Sequence, residues 1–157
     1  MIYQTDPEFS GIDHMEGCCV FTATKIACDA GGVDFTASNM LAWLSAERAD
    51  SDILGSDDYL QRPQHFVDAI APGVLVYKGM VAADYVPQDG EFCQDYLFNP
   101  DSVTADNPDG YHHFVLGWRG PGDCDYDPIS YGPGRGSNTA SAPNTYIESK
   151  RLYVRAT

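Results

Sequence analysis

Positive charge is what this sequence has least of. Three lysines and six arginines stand against 18 aspartates and five glutamates, leaving a net charge of −14 over 157 residues. Such a surface repels a phosphate backbone, which argues against nucleic acid as a partner. It suits a solvated exterior, a face that docks a basic protein, or a salt-rich habitat. Long hydrophobic runs are missing too: no stretch approaches the ~18 apolar residues a membrane span requires. Met1 is followed by neither a basic nor an apolar segment, so the expectation is a soluble chain without an export signal. CxxC and HxxxH spacings are absent, and the five cysteines, Cys18, Cys19, Cys28, Cys93 and Cys124, make an odd set. No closed zinc site is indicated, and neither metal nor cofactor is expected. Reduced thiols are the default, with a Cys93–Cys124 disulfide open to a protein working outside a cell. There is no internal repeat and no long linker, and the length suits one domain over residues 1–157.

What is present changes in texture along the chain. Residues 17–30 are small and apolar, with Thr22, Ala23, Ile26, Ala27 and Ala30 at helical spacing, and Gly31-Gly32 closes the helix. Thr36-Ala37-Ser38-Asn39 offers capping side chains to a second helix through Met40, Leu41, Trp43 and Leu44. Residues 47–58 read as loop. Pro63 opens a short third helix through Phe66, Val67 and Ile70, stopped by Pro72-Gly73, and residues 74–77 form a strand. Residues 81–110 show no lasting period and read as a long loop with one helical turn near 92–97, a segment that could border a substrate groove. A strand over 112–118, a turn at Gly120-Pro121-Gly122 and a strand over 124–127 suggest a hairpin. Residues 132–144 are loop, and residues 149–155 alternate as a last strand with Leu152 and Val154 on one face. Helices first and antiparallel strands later is the α+β pattern, here N-terminal helices packed on an antiparallel sheet.

Three pieces carry chemistry. Cys18 and Cys19 open a helix, where the macrodipole favours a thiolate. His112 and His113 enter an apolar strand, and alternation sends them to opposite faces, so only one can meet a thiol. Asp127 lies on the strand expected to pair with the histidine strand and can orient the imidazole, with Asp123 and Asp125 as competitors. An acyl-transfer site also needs oxyanion donors: the amide of the cysteine itself, and a side-chain amide such as that of Gln4. His14 and His65 read as structural.

The order Gln4-Thr5-Asp6, Gly17-Cys18-Cys19-Val20-Phe21-Thr22-Ala23, His113-Phe114-Val115-Leu116-Gly117 and Asp127-Pro128 resembles papain-like cysteine peptidases. The likeness is to their compact bacterial and phage branch, related to the bacteriocin-processing double-glycine peptidases. It implies a papain-like fold and a site of Cys18 as nucleophile, His113 as base and acid, Asp127 as orienting group and Gln4 in the oxyanion hole. Matching Cys-x-x-Phe-Thr-Ala to the family pattern selects Cys18, whereas helical facing with Thr22, Ala23 and Ile26 selects Cys19. No double-glycine processing partner or transporter segment accompanies the motifs, so leader cleavage does not carry over.

The resemblance implies a cysteine-nucleophile amide hydrolase, with a phage-encoded peptidoglycan endopeptidase as its specific form and a peptide or peptidoglycan as substrate. The alternative is a virion structural or adaptor protein that keeps the peptidase-like fold with weak or no activity. An inhibitor whose acidity mimics nucleic acid is a third expectation. Host cytoplasm or virion association follows from the same resemblance.

Overall fold

The structure, a computed structural model, describes residues 1–11, 17–49, 60–129 and 138–157. Of the loop expected over 47–58, residues 50–58 lie outside the described residues while Glu47 and Arg48 end a helix, and residues 132–137 of the loop expected over 132–144 lie outside them too, as does His14. The chain is α+β: an open, four-stranded antiparallel sheet with helices packed against it.

Helix α1, Gly17–Gly31, is buried along nearly its whole length because its side chains are small enough for close approach on every side. Gly32 takes φ 66° and the Val33 amide bonds back to the Cys28 carbonyl at 3.0 Å, so the glycine pair ends the helix as its position implies. Helix α2, Ala37–Arg48, starts where Thr36 caps it by accepting from the Asn39 amide at 3.2 Å. Helix α3, Pro63–Ile70, places proline in its first turn and buries Phe66, Val67 and Ile70. A 3-10 turn at Pro7–Phe9 drives Phe9 edge-on into Phe21 of α1, with ring centroids 4.9 Å apart.

The sheet is formed by β1 (Leu75–Val81), β2 (Glu91–Asn99), β3 (Tyr111–Val115) and β4 (Tyr146–Arg155), in the order β1-β4-β2-β3. The strand β2 corrects the sequence expectation of a loop with a helical turn at 92–97. Its centre carries Gln94 and Asp95, both buried, which erases any alternation of apolar and polar residues. A central strand covered on both faces has no reason to alternate, provided its buried polar groups find partners. Both do: Gln94 bonds into α1 and to Tyr153, and Asp95 accepts from the Trp118 amide at 2.9 Å.

Strand β4 begins at Tyr146 rather than at residue 149. Leu152 and Val154 share a face, but the neighbouring Tyr153 is the side chain buried in the helix-side core. That main core joins Phe9, α1, Met40, Leu44, Phe66, Phe114 and Tyr153. A smaller one behind the sheet gathers Leu97, Val115 and Ala140, with Trp118, Cys124 and Ile147 packed against it. Ala140 comes from a one-turn helix, α4 (Asn138–Ser141), where sequence suggested only loop.

The regular histidine strand ends at Val115, and residues 124–127 form no strand of the sheet. The hairpin is instead held by single bridges, Leu116 with Tyr126 and Gly120 with Asp123. Leu116 donates to the Tyr126 carbonyl at 2.9 Å, and Arg119 to the Asp123 carbonyl at 2.8 Å. The sheet is left because Gly117 turns the chain with φ 63°. Among the described residues no helix is long and apolar enough to cross a membrane.

Gly117 is therefore the hinge that delivers Asp127. A Cβ there would collide with the Asp125 side chain, and the left-handed φ that the turn requires is one that residues with a Cβ rarely adopt. Gly117→Ala should lower stability in urea unfolding by about 1–2 kcal/mol; an unchanged midpoint would show that the turn tolerates any residue.

Candidate active site

The site forms at the outer edge of β3, where the first turn of α1 lies alongside the sheet. Phe114 directs its amide outward, away from β2, and donates to Cys18 Sγ at 3.4 Å. The preceding residue, His113, turns to the opposite face of the strand from His112, as alternation requires. His113 Nε2 meets Asp127 Oδ1 at 2.6 Å, and the ring also hydrogen-bonds the Cys18 thiol. With Nε2 occupied by the carboxylate, Nδ1 is the ring nitrogen left for sulfur. Cys18 is 2% exposed, His113 3% and Asp127 7%.

Burial is the largest single influence on His113 and pulls its imidazolium down. Attraction to the Cys18 sulfur and the hydrogen bonds that the ring makes to Asp127 and Cys18 outweigh it, and the ring rises from 6.5 to about 10. The constellation thus favours a charged imidazolium beside the Cys18 sulfur. Asp127 is fixed in turn by the Ile129 amide, which donates to the same Oδ1 at 2.9 Å. Its competitors are occupied elsewhere: Asp123 and Asp125 both pair with Arg119 at the surface, at 2.9 and 2.7 Å.

The second thiol has different surroundings. Cys19 is wholly buried against the sheet, accepts from Arg151 Nη1 at 3.1 Å, and lies 4.0 Å from Gln94 Nε2. Desolvation pushes its pKa to about 12 even though Arg151 draws it down. Sharing a helix face with Thr22, Ala23 and Ile26 is sharing the core-facing side, where a thiol stays protonated and inert. The structure brings Cys18, not Cys19, to His113.

Gln4 is brought to the same region through its backbone. Its amide donates to the Pro128 carbonyl at 2.7 Å, one residue beyond Asp127, and its side chain is fully buried. Tyr126 Oη donates to the Ile2 carbonyl at 2.8 Å and anchors the same N-terminal segment. His112 takes no part: it stacks on Tyr96 and Phe98 and pairs with Glu148 at 3.1 Å. His65 is an exposed residue of α3. Cys93 and Cys124 are free thiols, each raised to about 11 chiefly by burial. Among the described residues no group of three or more His, Cys, Asp and Glu is arranged to hold a metal ion.

Gln94 was not among the residues the sequence singled out. It stands directly behind the cysteines, donating to the Cys19 carbonyl at 2.9 Å and to Thr22 Oγ1 at 2.8 Å. The one available signal is a glutamine two residues from an aromatic on either side, Phe92 and Tyr96, in a segment without period. Comparison with protein-family models, characterised proteins and solved structures finds no match to this chain.

A folded-state pKa above the ordinary ~6.5 means that the charged pair stabilises the fold fully below that value. The contribution is lost as pH rises through about 10. The stability advantage of the wild type over His113→Asn, measured by urea unfolding, should therefore be full near pH 6 and shrink toward pH 10. An advantage that is flat across that interval would rule out the ion pair. Iodoacetamide should label Cys18 in the native state and reach Cys19 only on unfolding.

Proposed function

We propose that this chain is a cysteine-nucleophile amide hydrolase of papain-like type. The observation that carries the proposal is His113 held between Asp127 and Cys18, with its ring charged and the thiol at the start of a long helix. In this reading the Cys18 thiolate attacks the carbonyl carbon of an amide, and the new C–S bond leaves a tetrahedral oxyanion. The Cys18 amide and the Gln4 side chain donate to that oxygen. As the C–N bond breaks, His113 gives its proton to the departing amine, leaving a thioester on Cys18. Neutral His113 then takes a proton from water, whose oxygen attacks the thioester; collapse frees the acid, and the thiolate and imidazolium are restored. Asp127 holds the ring tautomer and supports the positive charge throughout.

The substrate favoured by the resemblance to phage-encoded relatives is a peptidoglycan cross-link. The surface charge of −14 points away from polyanions and toward neutral or basic peptide partners. A second reading has an observation of its own. All three residues are nearly closed to solvent, which suits a virion adaptor that keeps the site as a structural relic.

Release of new amino groups from purified peptidoglycan, and in parallel from an unfolded protein, separates these readings. Cys18→Ala should lower the rate by on the order of 10³-fold or more. Asp127→Asn should lower it by roughly 10²- to 10⁴-fold, because the amide can hold the wrong tautomer. A wild type with no release from either substrate, and with a Cys18 no more reactive than an ordinary thiol, would favour the adaptor.

A further inference from the structure

Resting on the hydrolase reading, we propose that Gln94 is a positioning residue: it holds the nucleophile-bearing turn of α1 at the setting that keeps Cys18 paired with His113. Gln94 is fully buried in the middle of β2, 75 residues from the helix it bonds. One amide group serves two acceptors, the Cys19 carbonyl at 2.9 Å and Thr22 Oγ1 at 2.8 Å, while Oε1 accepts from Tyr153 Oη at 2.6 Å. Thr22 extends the link, its hydroxyl lying 2.7 Å from the Cys18 carbonyl and 3.1 Å from that of Cys19.

Packing alone does not ask for this side chain. A buried amide is costly unless bonded, and an apolar residue of similar size would fill the space without needing partners. Nor do the helix carbonyls need it, since carbonyls at the start of an α-helix already accept from amides four residues on. What the extra bonds do is geometric. They fix the peptide planes on the C-terminal side of Cys18 and Cys19, and with them the direction in which the Cys18 Cβ leaves the helix. Gln94 and Tyr153 sit on β2 and β4, and His113 on β3 of the same sheet. Nucleophile and base are thus referenced to one rigid frame. A misplacement of about 1 Å in such a pair can cost about 10²-fold in rate.

The test is the pH profile of Cys18 alkylation by iodoacetamide, followed by mass spectrometry of the labelled peptide, in the full chain. Gln94→Met and Thr22→Val should each slow labelling near pH 6 by about tenfold or more, within the cost of such a misplacement. Their profiles should move from that of the wild type toward that of an ordinary free thiol. On a cleaved substrate the loss should fall on kcat with KM kept, and Thr22→Ser, which keeps the hydroxyl, should restore both readouts. Circular dichroism identifies the folded variants, and if Gln94→Met does not fold, Thr22→Val decides. Folded variants with the wild-type profile beside a reactive wild type would overturn this inference alone. A wild-type Cys18 no faster than a free thiol would overturn the hydrolase reading and this inference together.

Discussion

Everything at the site depends on one docking contact, the first turn of α1 against the open edge of β3. An edge strand presents outward amides that need acceptors, and a helix start presents amides that need them too. Cys18 Sγ lies where the two supplies of donors meet, with the Phe114 amide reaching it from the strand. A neutral thiol is a poor acceptor, whereas a thiolate is a strong one. The strand edge therefore holds the sulfur in place before His113 is considered. The imidazolium then adds a positive charge in a place where water screens it little.

The acid end of the site is built by a different part of the chain. The N-terminal segment crosses residues 126–129, tied by Tyr126 to Ile2 and by Gln4 to Pro128. Phe9 secures the same segment to α1 through Phe21. Asp127 thus cannot move independently of the helix carrying Cys18, although 109 positions separate them in sequence. An isolated buried carboxylate would be expensive, and here it is met by His113 and the Ile129 amide on a single oxygen.

The three helices were legible in the sequence because their ends carry local signals: Thr36 as a cap, Pro63 at a first turn, Gly31-Gly32 at a close. Cys18 was legible for a similar reason, lying one residue into α1, whereas His113 sits in the middle of β3 and Asp127 in no strand, and both were legible only through the short motifs around them. Strand β2 was not, since its place in the middle of the sheet is a tertiary fact. Gln94 and Asp95 look like loop residues until α1, Tyr153 and Trp118 supply their partners. The choice between cysteines shows the same limit. Helical facing located the core side of α1 correctly, but the core side is where Cys19 is silenced by burial. Choosing among Asp123, Asp125 and Asp127 needed Arg119, which draws the first two outward.

An excess of negative charge favours the charged form of His113 from a distance, so the question is whether that field or the site's own groups set the ring's state. Several of the few cations are tied to other parts of the chain: Arg155 donates to the Ala30 carbonyl at 2.8 Å, Lys150 to that of Tyr85 at 2.8 Å, and Arg151 to Cys19. Distance decides the contest. At about 4 Å and an effective dielectric of about 20, two unit charges interact by about 4 kcal/mol, whereas exposed carboxylates beyond roughly 8–10 Å are screened by salt. His113, the Phe114 amide and the start of α1 all act at close range on Cys18, inside a region closed to solvent. Close groups therefore outweigh the field of the whole chain, and Cys18 and Asp127, not the acidic surface, set the state of the His113 ring.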